Sequence, residues 1–440
     1  MRAFVMKMSP RFFFFLSSVL VSWSSFADST TLVENFRSLQ EKSKDISPEL
    51  KTVRAFRSQK KAENYTRFTS HLPNVNLVLK REKDFFEDKN AALRALGIGV
   101  LNSSWAIQYE WSLVNFNQIQ NTRKSFAEKD KSEIDVEIKE SEYPIVFTTY
   151  FLNYLLAKYK TAAVENSLKK AETGKKEAQL GFDLGQKTKI DVLRSDANLV
   201  SLTSKKTSYI EEEQNAKNRF VEYSGLEQKD LDFVSNLSEE QILELISSLS
   251  SVAAKKEVPN LRASPKYQSL EMEEKINRLA LSDFTRNEYP DLRIQGSYTN
   301  AADSWEGTLH NPTRSHTVAL VLTIPLFSGG SFASSHFEKY FAKKQIEYSI
   351  GLKKQQLEND LNTTLIRINA LETLVSSLTL NVSQFEELYR LTSKSYQLGK
   401  SSLFELLEVQ DDLLDSKINL AQNKIQFYTL SQNYLWQAGL

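Results

Sequence analysis

The chain has 440 residues, a formal net charge of +1, 41% hydrophobic residues and 25% charged ones. That balance leaves no excess of basic charge to argue for nucleic acid as a partner. The absence of cysteine leaves nothing for disulfides, thiolate metal sites or a cysteine-linked lipid anchor, and with only 13 Gly and 9 Pro, long uninterrupted helices are allowed.

In chain order, the first 27 residues read as a secretory signal peptide. Arg2, Lys7 and Arg11 precede the apolar run Phe12 to Val21, and Ser25-Phe26-Ala27 offers the small residues of a cleavage site after Ala27. No later stretch approaches the roughly 18 continuous apolar residues of a membrane helix, so a membrane would be entered as a β-barrel.

Asp28 to Lys44 reads as a short amphipathic helix. Ser47-Pro48-Glu49 opens a second one, with Ser as N-cap, Pro in the first turn and an acid at the positive helix end, running to about Thr69. Pro73 then introduces a strand, Asn74 to Leu79. A second strand alternates Trp105, Ile107, Tyr109, Trp111 and Leu113 with Ala106, Gln108, Glu110, Ser112 and Val114. The polar stretch Arg81 to Asn90 reads as a loop before it. A very long helix is expected from about Asn117 to Leu184, kinked or broken at Pro144. It stops at Gly185, and Thr188 with Asp191 three residues on starts the returning helix, which ends at Ser224-Gly225.

The segment from Leu226 to Ala263 differs in character. Ser238-Glu-Glu-Gln241 is a capping box opening a helix to about Ala254, and the rest reads as a linker on the outside of the helical body. The first pattern then repeats. Ser264-Pro265 follows Ser47-Pro48 by 217 positions, opening a helix to about Asn287, and Pro290 follows Pro73 by the same offset. Strands at Asp291 to Gly296 and Thr317 to Leu326 flank a polar loop, Asn300 to Ser315. From Ser331 to Gln397 no proline occurs. Leu357, Leu361, Leu365, Ile368, Leu371, Val375, Leu378, Val382 and Phe385 form one apolar stripe at steps of three and four. Some 65 residues at 1.5 Å each give roughly 100 Å. The turn Leu398-Gly399 and the capping pair Ser402 and Glu405 repeat Gly185, Thr188 and Asp191 with an offset of 214. The chain is therefore an internal duplication built on two helical hairpins. The expected segments are the signal peptide 1–27, a first repeat 28–225, a linker 226–263 and a second repeat 264–440.

Catalytic chemistry is not visible. His71, His310, His316 and His336 have no partner at metal-site spacing, and His310 and His316 fall in the expected loop. Phe327-Ser-Gly-Gly-Ser331 lacks the Lys of a phosphate loop, so neither an enzyme nor a cofactor is expected. The strands fit two readings, half-buried hairpins on a soluble core or part of a membrane barrel. Four strands are too few to close one, since the smallest single-chain barrels have about 8. Glu405 and Glu408 share a helix face, where they stabilise the helix start. Several copies around an axis would make them a carboxylate ring that attracts cations.

The sequences Gly185-Gln-Lys-Thr-Lys-Ile-Asp191-Val192, Tyr396-Gln-Leu-Gly399-Lys-Ser-Ser-Leu-Phe-Glu405-Leu-Leu-Glu408 and Ile324-Pro325-Leu326-Phe327-Ser328-Gly329-Gly330 resemble motifs of the TolC family of outer-membrane efflux and secretion channels. The resemblance implies a mainly α fold with a small β part. Duplicated long helical hairpins form an α-barrel, and each of three protomers gives four strands to one twelve-stranded transmembrane β-barrel. It implies a homotrimer in the outer membrane with its helical part in the periplasm. The partners would be a periplasmic adaptor (membrane fusion) protein and an inner-membrane pump, as in a tripartite efflux pump or type I secretion system. The implied gate residues are Glu405, Glu408 and Asp191. The implied tip turns and adaptor contacts are Leu184, Gly185, Lys187, Thr188, Leu398, Gly399, Lys400 and Ser402. Ser401 stands where the family carries a basic residue, and Lys400 is the substitute for a latch between the tips. The alternative is a soluble periplasmic coiled-coil scaffold without a pore.

Overall fold

The computed structural model describes residues 31–82, 103–250, 261–282, 289–327 and 329–439. The expected signal peptide, the loop at 83–90, the linker at 251–260 and Ser328 lie outside these residues, and the helix expected to run to about Asn287 ends at Ala280. The elements are α1 (31–46), α2 (Pro48–Thr69), β1 (Asn74–Arg81), β2 (Ser103–Val114), α3 (Phe116–Asp183), α4 (Lys189–Ser224), α5 (Glu239–Leu249), α6 (Pro265–Ala280), β3 (Asp291–Ala302), β4 (Thr313–Thr323), α7 (Ser331–Gln397) and α8 (Leu403–Ala438). Short helical turns occupy Gln228–Leu231, Asp232–Ser235 and Gly307–His310. The chain divides into two compact units, one of residues up to Arg54 with Val136–Lys266 and Gln356–Leu440, the other of Ala55–Asp135 and Tyr267–Gln355.

The first unit is all helical. Its main core gathers Phe36 and Leu39 of α1, Leu50 of α2, Tyr143, Phe147, Phe151 and Leu155 of α3, and Phe220 of α4. The segment between the repeats belongs to this core: Leu231, Val234, Ile242, Leu245 and Ile246 are buried in it. The capping box of Ser238 and Gln241 forms as the sequence suggests, and the helix it opens ends at Leu249.

Pro144 does not break α3, which runs unbroken over 68 residues. A proline inside a helix costs about 3 kcal/mol. Here it is flanked by Tyr143, Phe147, Phe151, Leu152 and Leu155, each at most 1% exposed. Each fully buried side chain of this kind contributes about 1.5–3 kcal/mol, so their packing outweighs the loss. The Pro144 carbonyl also accepts from the Gln40 side-chain amide at 3.3 Å and the Thr148 hydroxyl at 2.7 Å.

The duplication is visible in the caps. Both returning helices end at a left-handed glycine, Gly225 with φ 70° and Gly439 with φ 73°. Each meets the helix start of its own repeat. A Cβ on Gly225 would lie 2.9 Å from the Ile46 carbonyl oxygen, and one on Gly439 2.8 Å from the Ala263 carbonyl carbon. Ser47 and Ser264, the two helix-start serines, are fully buried. The Ser47 hydroxyl donates to the Tyr223 carbonyl at 3.1 Å, joining the α2 start to the end of α4.

In α7 the nine stripe residues from Leu357 to Phe385 are all buried or half-buried, as the periodicity requires. Leu361 and Ile368 pack with Tyr434 and Ala438 of α8 in a second core.

The second unit holds one antiparallel sheet in the order β1-β2-β3-β4. The expected pairs β1–β2 and β3–β4 form, and β2 pairs with β3 to join the repeats. Among the described residues β1 and β4 each pair on one side only, so the sheet is open. The register sorts the residues onto two faces. One row set reads Leu79, Trp105, Asn300, Arg314; then Leu77, Ile107, Tyr298, His316; then Val75, Tyr109, Gly296, Val318. The opposite face carries Asn76, Gln108, Glu110, Arg293, Gln295, Ser297 and Thr317. Leu77, Leu79, Val318, Leu320 and Leu322 are 57–67% exposed, so among the described residues nothing covers the apolar face along β1 and β4.

Three sequence expectations are corrected in this unit. His316 lies in β4 rather than in a loop, and accepts or donates a hydrogen bond with the Tyr109 hydroxyl at 3.2 Å. His310 ends the short helical turn. The alternation of β2 is interrupted by a register shift between Ser112 and Val114, which sets Val114 opposite Leu292. β4 ends at Thr323, leaving Leu326 and Phe327 beyond it, 93% and 87% exposed.

Candidate functional site

The two hairpin turns lie in the first unit. Each begins with the same helix ending. In the first, the Gln186 N–H donates to the Gly181 carbonyl at 2.7 Å and the Gly185 N–H to Phe182 at 2.9 Å. In the second, Lys400 donates to Ser395 at 2.8 Å and Gly399 to Tyr396 at 3.0 Å. These are the paired 6→1 and 5→2 bonds of a Schellman ending. They require a left-handed residue, and Gly185 and Gly399 supply φ 72° and 71°.

Each turn then starts its returning helix with a capping box. The Thr188 hydroxyl accepts from the Asp191 N–H while the Asp191 carboxylate accepts from the Thr188 N–H at 3.0 Å. Ser402 and Glu405 exchange the same bonds, both at 3.2 Å. Two N–H groups that a helix start would otherwise leave unpaired are satisfied in each turn. The Asp191 carboxyl is held below the usual range by the Thr188 backbone N–H and hydroxyl. Asp191 and Glu405 therefore have structural work as caps in a single chain. Glu408 is exposed one turn further along α8.

The hairpins share a small core. Ala178 of α3, Val192 of α4 and Leu403 of α8 are buried together, with Tyr396 and Leu407 against them. Around it the contacts between hairpins are cation to aromatic. The Lys187 ammonium donates to the Tyr396 hydroxyl and lies 4.8 Å from its ring centroid. The Arg194 guanidinium sits 5.0 Å over the Phe404 ring, and the Lys170 ammonium 5.5 Å from that of Tyr389. Lys400, the expected substitute latch, is exposed and forms no ion pair among the described residues. Within one chain the contact that joins the two tips is Lys187 on Tyr396. The resemblance assigns Lys187 to a partner contact, and no motif singles out Arg194 or Phe404. The signal available was the offset of 214, which sets Phe404 at the position of Ile190.

Both turns expose apolar residues at matching positions. Leu184 and Leu398 are 64% and 68% exposed, Ile190 and Phe404 60% and 50%. Further along α8, Asp411 lies 4.0 Å from Lys205 of α4. Burial pushes its carboxyl up, Lys205 opposes this, and Asp415 and Asp412 add to it. No cluster able to hold a metal ion occurs among the described residues.

Residues 285–434 match the outer membrane efflux protein family. No curated protein matches the sequence. Among solved structures, the chain is similar to the Campylobacter jejuni CmeC outer membrane channel, with a TM-score of 0.73 at 14% identity over 92% of this chain and 86% of that one. It is similar to a membrane protein from Pseudomonas aeruginosa, with a TM-score of 0.72 at 15% identity over 92% and 93%. The open state of the Neisseria gonorrhoeae MtrE outer membrane channel gives 0.70 at 14% over 92% and 88%. The chain thus carries the outer membrane efflux protein pattern in its second half, and its fold as a whole is that of the TolC-like outer-membrane channels.

Proposed function

We propose that three copies of this chain form an outer-membrane efflux channel, the exit duct of an assembly energised elsewhere. The observation that carries this reading is the open four-stranded sheet with one exposed apolar face and one polar face. An exposed sheet edge is a template for pairing, and closure into a barrel removes it. Four strands cannot close alone, but three sets give twelve, within the range of transmembrane barrels. The apolar face then meets lipid, and Asn76, Gln108, Glu110, Arg293 and Gln295 line water. A scaffold confined to the periplasm would leave Leu77, Leu79, Val318 and Leu320 in solvent without return.

The helical part stands in the periplasm, and the protein is a conduit rather than an enzyme. The hairpin turns are the gate and the docking surface in this reading. Asp191, Glu405 and Glu408 from three copies would ring the narrow end and favour cations. Leu184, Gly185, Thr188, Leu398, Gly399 and Ser402, with Ile190 and Phe404, would meet a periplasmic adaptor protein coupled to an inner-membrane pump. Opening requires the two hairpins of one chain to separate, and Lys187 on Tyr396 and Arg194 on Phe404 oppose that.

Conductance in planar bilayers tests the reading. The wild-type protein should insert and pass small cation-preferring currents. The Glu405→Gln/Glu408→Gln double variant should insert equally well and lose most of its cation preference. A protein that never conducts would contradict the channel, and a variant with unchanged selectivity would remove the glutamates from the gate.

A further inference from the structure

The apolar face of the sheet sorts its charges along the strands, exposed on the edge strands β1 and β4 while Ser103, Asn300 and Ala302 between them are buried. From the register, this face carries Arg81 of β1 and Arg314 and His316 of β4, all within the three rows nearest the strand connections. No Asp or Glu of the four strands lies on it: Glu110 and Asp291 are on the polar face, where both bind Arg293, at 3.2 and 2.9 Å. Beside the basic groups stand the aromatic rings of Trp105, Tyr109 and Tyr298, with His316 6.4 Å from Tyr109 and 6.2 Å from Tyr298 between centroids. Toward the helix end the same face changes to Ile294, Leu320, Leu292 and Leu322. Arg81 and Arg314 are exposed and have no ion-pair partner among the described residues. Two exposed acids, Asp303 and Glu306, lie in the turn beyond β3, outside the strands.

We propose that this face, at the end of the sheet bearing the strand connections, binds the phosphorylated headgroup of a lipid in the outer leaflet. The proposal rests on the barrel reading above. With the helices in the periplasm, the strand connections face outward, so the basic rows lie at headgroup depth and the leucine rows in hydrocarbon. Aromatic rings favour that interfacial depth, and arginine forks match phosphate oxygens bidentately. Lipid is the occupant because the basic groups continue an apolar face with no intervening acid; a soluble anion would need no such band. The two arginines sit on the two edge strands. In a closed ring, Arg314 of one copy and Arg81 of the next flank the same seam, so each seam would hold one headgroup.

The test uses the full-length protein extracted from membranes and native mass spectrometry of retained lipid. Bisphosphorylated lipid A should be retained at about ten-fold lower concentration than the same lipid freed of phosphate, the difference expected for one charge-assisted contact pair. Arg81→Gln/Arg314→Gln should bring the two lipids within about two-fold while channel conductance stays at the wild-type value. Arg67→Gln, which alters a basic residue of α2 outside this face, should leave the preference intact. Equal retention of the two lipids by the wild type, or an undiminished preference in the double variant, would overturn the proposal. Full displacement of the lipid by millimolar inorganic phosphate would overturn it in favour of a free anion. A protein that conducts yet ignores the phosphates refutes this proposal alone, whereas one that forms no pore refutes the barrel reading beneath it.

Discussion

The two hairpin turns share a backbone and differ in side chains. Gly185 and Gly399 close the same pair of bonds, and Thr188 with Asp191 and Ser402 with Glu405 build the same cap. The first turn adds cations, Lys187 and Arg194; the second adds the rings they rest on, Tyr396 and Phe404. Duplication supplied two equal turns, and divergence made them complementary. The backbone chemistry tolerates little change because each left-handed glycine and each cap is required locally.

The largest test of that comparison removes what the turns have in common. Leu403 is 6% exposed and packs on Ala178 and Val192 of the other hairpin. Leu403→Ala should cost about 2–5 kcal/mol and loosen both turns together. Amide hydrogen exchange would show faster exchange near Val192 as well as near Leu403; a change confined to α8 would mean the hairpins are independent.

The next effect probes the equality of the two glycines. Gly185→Ala and Gly399→Ala should each cost about 1–2 kcal/mol, since nothing lies within 4 Å of the added Cβ and only the left-handed backbone is penalised. Limited proteolysis at each turn measures it. Unequal costs would show that one turn rests in a different conformation.

The caps give the smallest effect. Thr188→Ala and Ser402→Ala should each cost about 1 kcal/mol, read as faster amide exchange in the first turn of α4 or α8. In the first turn the cap has a definite acid dependence. Its hydrogen bonds to Thr188 lower the Asp191 carboxyl, so its contribution is complete above the unfolded value near 3.8 and is lost as pH falls through the lower folded value. The protection of α4 amides, taken relative to their intrinsic base-catalysed exchange, should therefore be unchanged between pH 7 and about 5. A loss of protection within that window would contradict the assignment.

Much of this was legible in the sequence because it is local or periodic. The α7 stripe, the alternation of β2 as far as Ser112, both capping boxes and both glycine turns depend on residues within one or two turns of each other. The rest depends on distant partners. Pro144 looked like a break because its cost is local, while the burial of Phe147 and Phe151 against Phe36 and Phe220 is not. The β2–β3 pairing joins residues nearly 200 positions apart, and the shift at Ser112 appears only once β3 is in place. His316 falls in the expected loop because polar Thr313 to Ser315 precede it, yet an edge strand needs apolar residues on only one face. The Lys187 contact with Tyr396 spans 209 positions and has no spacing rule to announce it.

All of this turns on β1 of one copy finding β4 of another. The mass of the detergent-extracted particle, taken before and after heating, measures that most directly. Three chains that separate only on heating are the result the proposed barrel predicts. A particle that weighs as one chain while still conducting would mean that the sheet closes within a single molecule, and the account would be wrong.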